Sequence, residues 1–272
     1  MKKILVIMSA VSMLFCAASA QSNSVWKKQT RLITSATDNT SAAKIGKRGT
    51  ITVGGNINCM ELEYDDVKSD TRIGGGGNFE LAFNVVRSRT RNLGMDVVVP
   101  ISYNYMKTRF SDYDASVKYQ RTELPVVLRP YFRYAVSKDL LITPFIQGGV
   151  GAMILNYKGS IAGAGADVNE GAFMYTFGGG IEFQLYKYVA LTPKISYTGI
   201  AGESDEWRNN VDLERDLKFS LEAAFQLTRG WAFVAEYSYM MGNDATLTLP
   251  VLGRLDRDCA AHVVQLGFRY GF

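Results

Sequence analysis

The sequence predicts an all-β fold: a closed antiparallel transmembrane β-barrel of ten strands, with eight strands as the alternative. Three observations predict it. Beyond residue 48, apolar and polar residues alternate with period two through most of the chain. The connections between these segments alternate between short and long. The chain also ends on such a segment, "HVVQLGFRYGF", whose last residue is the aromatic Phe272. A soluble domain more commonly ends in a frayed polar tail.

Residues 1–20, "MKKILVIMSAVSMLFCAASA", read as a secretory signal peptide. Lys2 and Lys3 form a basic start, and Ile4 to Phe15 is an apolar run too short to span a bilayer. Ala18-Ser19-Ala20 is a small-residue cleavage site, and bulky Phe15 argues against acylation of Cys16. Residues 21–48 are polar, rich in Ser and Thr, and lack a sustained period. They are expected to form a largely unstructured periplasmic extension, preferred over a plug inside the barrel. The barrel itself is assigned to residues 49–272. The net charge of +4 includes the two signal-peptide lysines, so nothing points to nucleic acid as a partner.

Ten strands follow in order, near 49–60, 73–86, 93–106, 121–135, 140–156, 173–185, 189–199, 215–227, 231–241 and 260–272. In "FELAFNVV", Phe79, Leu81, Phe83 and Val85 share one face, and Glu80, Ala82 and Asn84 share the other. "FMYTFGGGIEFQL", "LKFSLEAAFQL" and "WAFVAEYSY" repeat the pattern. The lengths suit tilted strands, which need about 9–11 residues in the bilayer. Short turns are expected at 87–92, 136–139, 186–188 and 228–230, and long loops at 61–72, 107–120, 157–172, 200–214 and 242–259. Short periplasmic turns and long outer loops have this wiring. Pro100, Pro144 and Pro193 each fall shortly after a turn, where the ladder must tolerate a missing N–H.

Together, the export signal, the wiring, the stretches "TPFIQGGVGA" and "FGGGIEFQL" and the terminal Phe272 resemble the small outer-membrane β-barrel family, the opacity-type and porin-like barrels. The resemblance covers roughly residues 49–272. It implies the outer membrane of a Gram-negative-type envelope, with outer-membrane lipid around the wall. The ending "LGFRYGF" resembles the C-terminal sorting signal of such proteins, with Phe268, Tyr270 and Phe272 as its aromatic positions. That implies the barrel-assembly machinery as a partner during biogenesis.

If the aromatic face meets lipid, the other face lines the lumen. It carries the acids Glu80, Asp96, Glu123, Glu182, Glu222 and Glu236 and the bases Arg129, Arg133, Lys194, Lys218 and Arg269. Arg or Lys turned toward lipid would cost about 2–4 kcal/mol each near mid-bilayer. Near-balanced charges inside can pair, which predicts a lumen closed by an ion-pair network. The expected role is therefore structural, or exerted through extracellular loops on an outside ligand. A narrow channel for small solutes is the alternative.

Catalysis is not expected. The single histidine, His262, shares parity with the lipid-facing residues, although Asp258 and Asp65–Asp66 are placed near it at the outer rim. No Asp-His or His-x-Ser motif accompanies it, and no pattern points to a cofactor or metal. The glycine clusters lack the Lys-Ser/Thr pair and following helix of a phosphate loop. Cys59 and Cys259 are the two cysteines left after signal removal, and an oxidising envelope makes a disulfide between them one expectation, with two free thiols the other. The bond requires a bulge at Gly54–Gly55 to turn Cys59 inward.

Overall fold

Ten long strands form one continuous antiparallel sheet in the computed structural model, which describes residues 23–37, 41–64, 67–68, 70–110, 115–161, 164–201, 211–249 and 253–272. The expected signal peptide lies outside the described residues. The strands are β1 (Gly49–Tyr64), β2 (Arg72–Arg87), β3 (Leu93–Phe110), β4 (Ala115–Phe132), β5 (Leu140–Ile161), β6 (Ala164–Leu185), β7 (Val189–Ala201), β8 (Val211–Thr228), β9 (Trp231–Leu249) and β10 (Gly253–Gly271). Each pairs with its neighbour in sequence. The sheet closes where β10 pairs antiparallel with β1, from Thr50↔Gly271 to Tyr64↔Arg257. At the seam, Gly49 and Phe272 exchange backbone hydrogen bonds of 3.0 and 2.9 Å.

Alternation decides which side of the wall is which. Val53, Ile57, Phe79, Phe83, Leu221, Phe225, Leu266 and Phe268 point outward and are exposed. Their neighbours Thr52, Asn56, Ala82, Glu222, Ala224 and Arg269 point inward and are buried. Aromatic side chains gather at both ends of the apolar band. Trp231, Tyr270, Phe272 and Phe83 touch at the turn end, and Tyr237, Tyr239 and His262 at the loop end. A closed sheet with an apolar outer face and aromatic girdles is a membrane-spanning barrel of the outer-membrane type, because closure leaves no unpaired backbone edge in lipid.

The turns match their sequences. Tyr186 and Lys187 both take positive φ (51° and 70°), which gives a two-residue hairpin with Tyr188 N–H bonded to the Leu185 carbonyl at 3.2 Å. Pro100 and Pro125 face each other where the β3–β4 pairing lapses between Val98↔Val127 and Ser102↔Glu123. Pro193 lies in a similar lapse between β6 and β7. Gly76 sits where the neighbouring strand is very close: a Cβ there would lie 1.9 Å from the Tyr103 carbonyl oxygen.

Two expectations are corrected. The long loops are mostly strand. β5 and β6 continue to Ile161 and from Ala164, and β9 and β10 reach Leu249 and Gly253. Above the membrane both faces of a hairpin meet water, so the apolar period fades while the backbone ladder continues. The second correction concerns residues 21–48. An α-helix, α1, spans Asn23–Thr37, and Ser41–Ile45 enters the barrel with exposures of 8% or less. This segment is a plug. Its buried stretch is only a few residues of mixed polar and small apolar character, with Ala42 and Ile45 packed on apolar residues of the wall, so it carries no periodic hydrophobic signal.

Candidate functional site: the filled lumen

The plug enters from the end that holds the short turns. α1 rests across that mouth. Its Ile33 is fully buried against Ala135 and Leu141. The Gln29 amide pairs with the Ala135 backbone in both directions, Nε2 donating to the carbonyl and Oε1 accepting from N–H, each at 2.9 Å. Ser41–Gly46 is buried inside the barrel and leads on to Gly49.

Inside, the plug backbone is bound by wall side chains. Glu182 accepts from the N–H groups of Lys44 (2.9 Å) and Ile45 (3.4 Å). Asp96 accepts from Gly46 N–H at 3.1 Å and from Asn84 at 2.7 Å. Arg269 donates to the Ala42 carbonyl at 3.0 Å, and Arg133 donates to that of Ile45. Arg87 donates to the Gly46 carbonyl. Gly46 has φ of 76°, and a Cβ there would collide with the Arg133 guanidinium 1.5 Å away. Only glycine fits that position.

Lys44 carries the plug's charge into the network. Its ammonium lies 2.6 Å from Glu80 on β2 and 3.7 Å from Glu222 on β8, so it bridges opposite walls. Glu222 is also 2.6 Å from Arg269 and 3.3 Å from Lys194. Lys194 reaches Glu236 at 2.7 Å, and Lys218 reaches the same acid at 3.6 Å. Nearer the loop end, Arg121 pairs with Glu123 at 2.5 Å and crosses the lumen to Asp216. Ser102 adds a bond to Glu123 at 3.2 Å. Arg129 is held by Gln147 at 3.2 Å and lies over the Phe145 ring. Arg133 lies over Tyr131. Pairing offsets much of the cost of this burial, although the Nε groups of Arg121 and Arg133 and one carboxylate oxygen of Glu80 are buried without a hydrogen-bond partner among the described residues.

All eleven residues predicted for the lumen network face inward. Sequence reasoning missed Lys44, Arg121 and Asp216. Arg121 and Asp216 share the inward parity of Glu123 and Glu222, so their signal was present. Lys44 had none. It also missed an apolar layer at the loop end, where Met60, Met106, Met153, Leu155 and Met174 all point inward at 5% exposure or less.

The disulfide expectation fails in the register. Cys59 pairs with His262 across the seam, and Cys259 pairs with Leu62. The pairing runs without a shift through Gly54↔Gly267 and Gly55↔Leu266, so no bulge turns Cys59 inward. The two cysteines are three positions apart along the strands, about 10 Å, beyond the roughly 7 Å a disulfide spans. Cys59 is a free thiol on the outer face. His262 is also on that face, with Nδ1 2.8 Å from the Tyr237 hydroxyl and its ring over Tyr239. Asp65 and Asp66 lie outside the described residues. Phe268, Tyr270 and Phe272 all face outward, and Phe272 packs on Phe83 with ring centroids 6.4 Å apart.

No family model and no curated protein matches the chain. Solved structures do. The translocator domain of the autotransporter NalP from Neisseria meningitidis is 12% identical with a TM-score of 0.46, over 94% of this chain and 98% of that one. The transport unit of the autotransporter AIDA-I from Escherichia coli is 10% identical with a TM-score of 0.49, over 89% and 97%. Ail, the attachment invasion locus protein of Yersinia pestis, is 11% identical with a TM-score of 0.37, over 82% and 99%. These are likenesses of the barrel as a whole. The functional reading rests on the residues of this chain.

Proposed function

We propose that this protein is an outer-membrane barrel with a closed lumen, which acts as a structural element or through its extracellular hairpins rather than by conduction. The observation that carries this reading is the double filling of the lumen. Wall charges bind the plug in the turn-end half, and inward methionines are buried in the loop-end half. The reading assigns the outer hairpins the contact with any extracellular ligand. It assigns no catalytic step to His262, whose ring is engaged by two tyrosines.

A second reading, a narrow channel for small solutes, draws on one feature. The plug is not a strand of the wall and enters from the turn end, so its departure would uncover the charged residues that bind it. Planar-bilayer recording of the purified full-length protein tests both. The closed reading expects little or rare conductance, and the double substitution Arg129→Ser, Arg133→Ser raises leakage by loosening the plug. A large, steady wild-type conductance would overturn the closed reading in favour of the channel.

A further inference from the structure

A band of bases occupies the turn end of the barrel. Lys138, Lys187 and Arg229 sit in the β4–β5, β6–β7 and β8–β9 turns. Backbone pairing makes these turns neighbours. The Tyr186 N–H donates to the Asp139 carbonyl at 2.8 Å, and the Gln226 N–H donates to the Tyr188 carbonyl at 2.7 Å. Lys27, Lys28 and Arg31 join the band from α1. Helical spacing puts these three on one face, turned away from Gln29 and Ile33. Gln29 and Ile33 are the residues that fasten α1 to Ala135 and Leu141, beside the β4–β5 turn. The three α1 bases therefore stand within about one helical turn of that anchor. Five of the six bases are exposed, and Lys187 is half-buried.

The band is of a single sign. The acids beside it are Asp139 and the carboxylate of Phe272, and none of the six bases is in an ion pair among the described residues. At the loop end the chain mixes both signs, as in "ELEYDDVKSDTR" (61–72) and "GRLDRD" (253–258). The excess of bases thus belongs to one end and not to the composition of the chain. Exposed rings and apolar side chains stand among the bases: Tyr134 and Val136 near Lys138, Tyr186 and Tyr188 around Lys187, and Leu227 and Trp231 around Arg229. Tyrosine, tryptophan and base together at the edge of an apolar band belong at the headgroup level of a bilayer. Tyr186 and Lys187 even hold positive φ, where turn chemistry favours Gly, Asn or Asp. Backbone preference does not account for a tyrosine and a lysine there, whereas an interfacial role does.

We propose that Lys138, Lys187 and Arg229, with Lys27, Lys28 and Arg31 of α1, bind the phosphodiester headgroups of anionic phospholipid in the leaflet on the turn side, the periplasmic one in barrels of this type. Neighbouring turns are two strands apart, roughly 10 Å, so adjacent bases take separate phosphates or both phosphates of a diphosphatidyl lipid. Arg229 can grip a phosphate with two N–H groups, and the lysines act as point charges on flexible stems. The rings distinguish a lipid from a soluble anion, because only a lipid brings glycerol and acyl chains onto them. Since α1 shares the site, the same lipid fastens the helix that precedes the plug. The site is independent of whether the lumen conducts.

The test uses the full-length protein in uncharged maltoside micelles, with lipid binding read by native mass spectrometry. The probes are diphosphatidylglycerol, phosphatidylglycerol and phosphatidylcholine of matched acyl chains, and inorganic phosphate. Retention is expected in that order among the lipids. Two triple variants divide the site: Lys138→Gln, Lys187→Gln and Arg229→Gln in the turns, and Lys27→Gln, Lys28→Gln and Arg31→Gln on α1. Each single substitution should weaken phosphatidylglycerol binding about fivefold, and each triple variant about a hundredfold. Heat-modifiable gel migration verifies that the variants remain folded. Removing two charges at the loop end, with Lys107→Gln and Lys118→Gln, should leave binding unchanged. Wild-type binding by the folded turn variant would overturn the site, and wild-type binding by the α1 variant would overturn the part given to α1. Equal retention of phosphatidylcholine and phosphatidylglycerol would overturn the preference for anionic lipid. Full competition by equimolar inorganic phosphate would reassign the band to a soluble anion and overturn the lipid proposal.

Discussion

Glu222 is the residue on which the lumen network converges, and replacing it with Gln tests the network most sharply. The substitution keeps size and shape and removes one charge. Three cations lie within 3.7 Å of its carboxylate: Arg269 at 2.6 Å, Lys194 at 3.3 Å and Lys44 at 3.7 Å. Their losses differ. Lys194 keeps Glu236 at 2.7 Å, and Lys44 keeps Glu80 at 2.6 Å. Arg269 keeps only neutral acceptors, the Thr52 hydroxyl at 3.2 Å and the Ala42 carbonyl at 3.0 Å. Its side chain is 1% exposed, so water does not replace the lost charge. Leaving one buried charge without its partner costs about 3–5 kcal/mol. The two neutral acceptors place the expected loss near the lower end, about 3 kcal/mol. Removing both partners, with Glu222→Gln and Arg269→Gln, should cost less than the sum of the single losses, since no charge is then stranded. Equilibrium urea unfolding of the barrel from lipid vesicles measures each variant and closes the cycle. A Glu222→Gln variant within about 0.5 kcal/mol of wild type, or strict additivity in the double variant, would refute the account of a shared buried counterion.

The other predictions concern the plug, the seam and the thiols. Gly46→Val puts a β-branched side chain at positive φ against Arg133. It should cost about 1–3 kcal/mol and expose Lys44 and Lys47 to trypsin in the folded barrel, whereas unchanged protection would contradict the docked plug. Deleting Phe272 removes the packing on Phe83 and the last backbone pair with Gly49, and changing it to Asp removes the packing. It should leave protein in the periplasm, and normal outer-membrane yield with heat-modifiable migration would count against the sorting role. Thiol labelling of the denatured, unreduced mature chain should find both Cys59 and Cys259 reactive. Finding neither reactive would mean that the seam register differs from the one described.

What was legible in the sequence follows from where water and lipid meet the chain. Wherever lipid bounds one face and a packed lumen the other, the period of two is strong. Strand identity, the parity of Glu80, Glu222 and Arg269, and the short turns could then be read directly. Above the membrane the contrast vanishes, and "YKGSI" (157–161) and "AGADVNEG" (164–171) read as loop although their backbones stay paired. The plug was lost for the opposite reason. Burial is normally recognised by large apolar side chains, but here the buried segment is Ser41, Ala42, Ala43 and Lys44, with Ala42 on small wall residues and the Lys44 ammonium on carboxylates. Their composition is that of a disordered tail. The Cys59–Cys259 pairing failed because a single assumed bulge reverses facing for all later residues of a strand.

The division of the lumen into two fillings also decides how much the plug can gate. An eight-stranded barrel is just filled by its own side chains, and ten strands leave extra room. Here the plug takes up that room in the turn-end half. If residues 21–46 were deleted, Glu182 would lose two N–H donors, Asp96 one, and Arg133 and Arg269 each a carbonyl acceptor. Water could enter and solvate those groups. The pairs made between walls would survive: Arg121 with Asp216, and Lys194 with Glu236. The apolar layer of Met60, Met106, Met153, Leu155 and Met174, part of it level with Arg121 in the register, contains no plug residue, so it too would remain. The deletion should therefore open a vestibule rather than a pore. The barrel should fold with reduced stability, and conductance should stay low. Water-soluble thiol reagents should gain access to a cysteine placed at Ala42-facing Ala224 on the β8 wall, but not to one placed at Met153 when added from the loop side. A steady open pore in the deletion variant would show that the plug alone holds the lumen shut, and would transfer the argument to the channel reading.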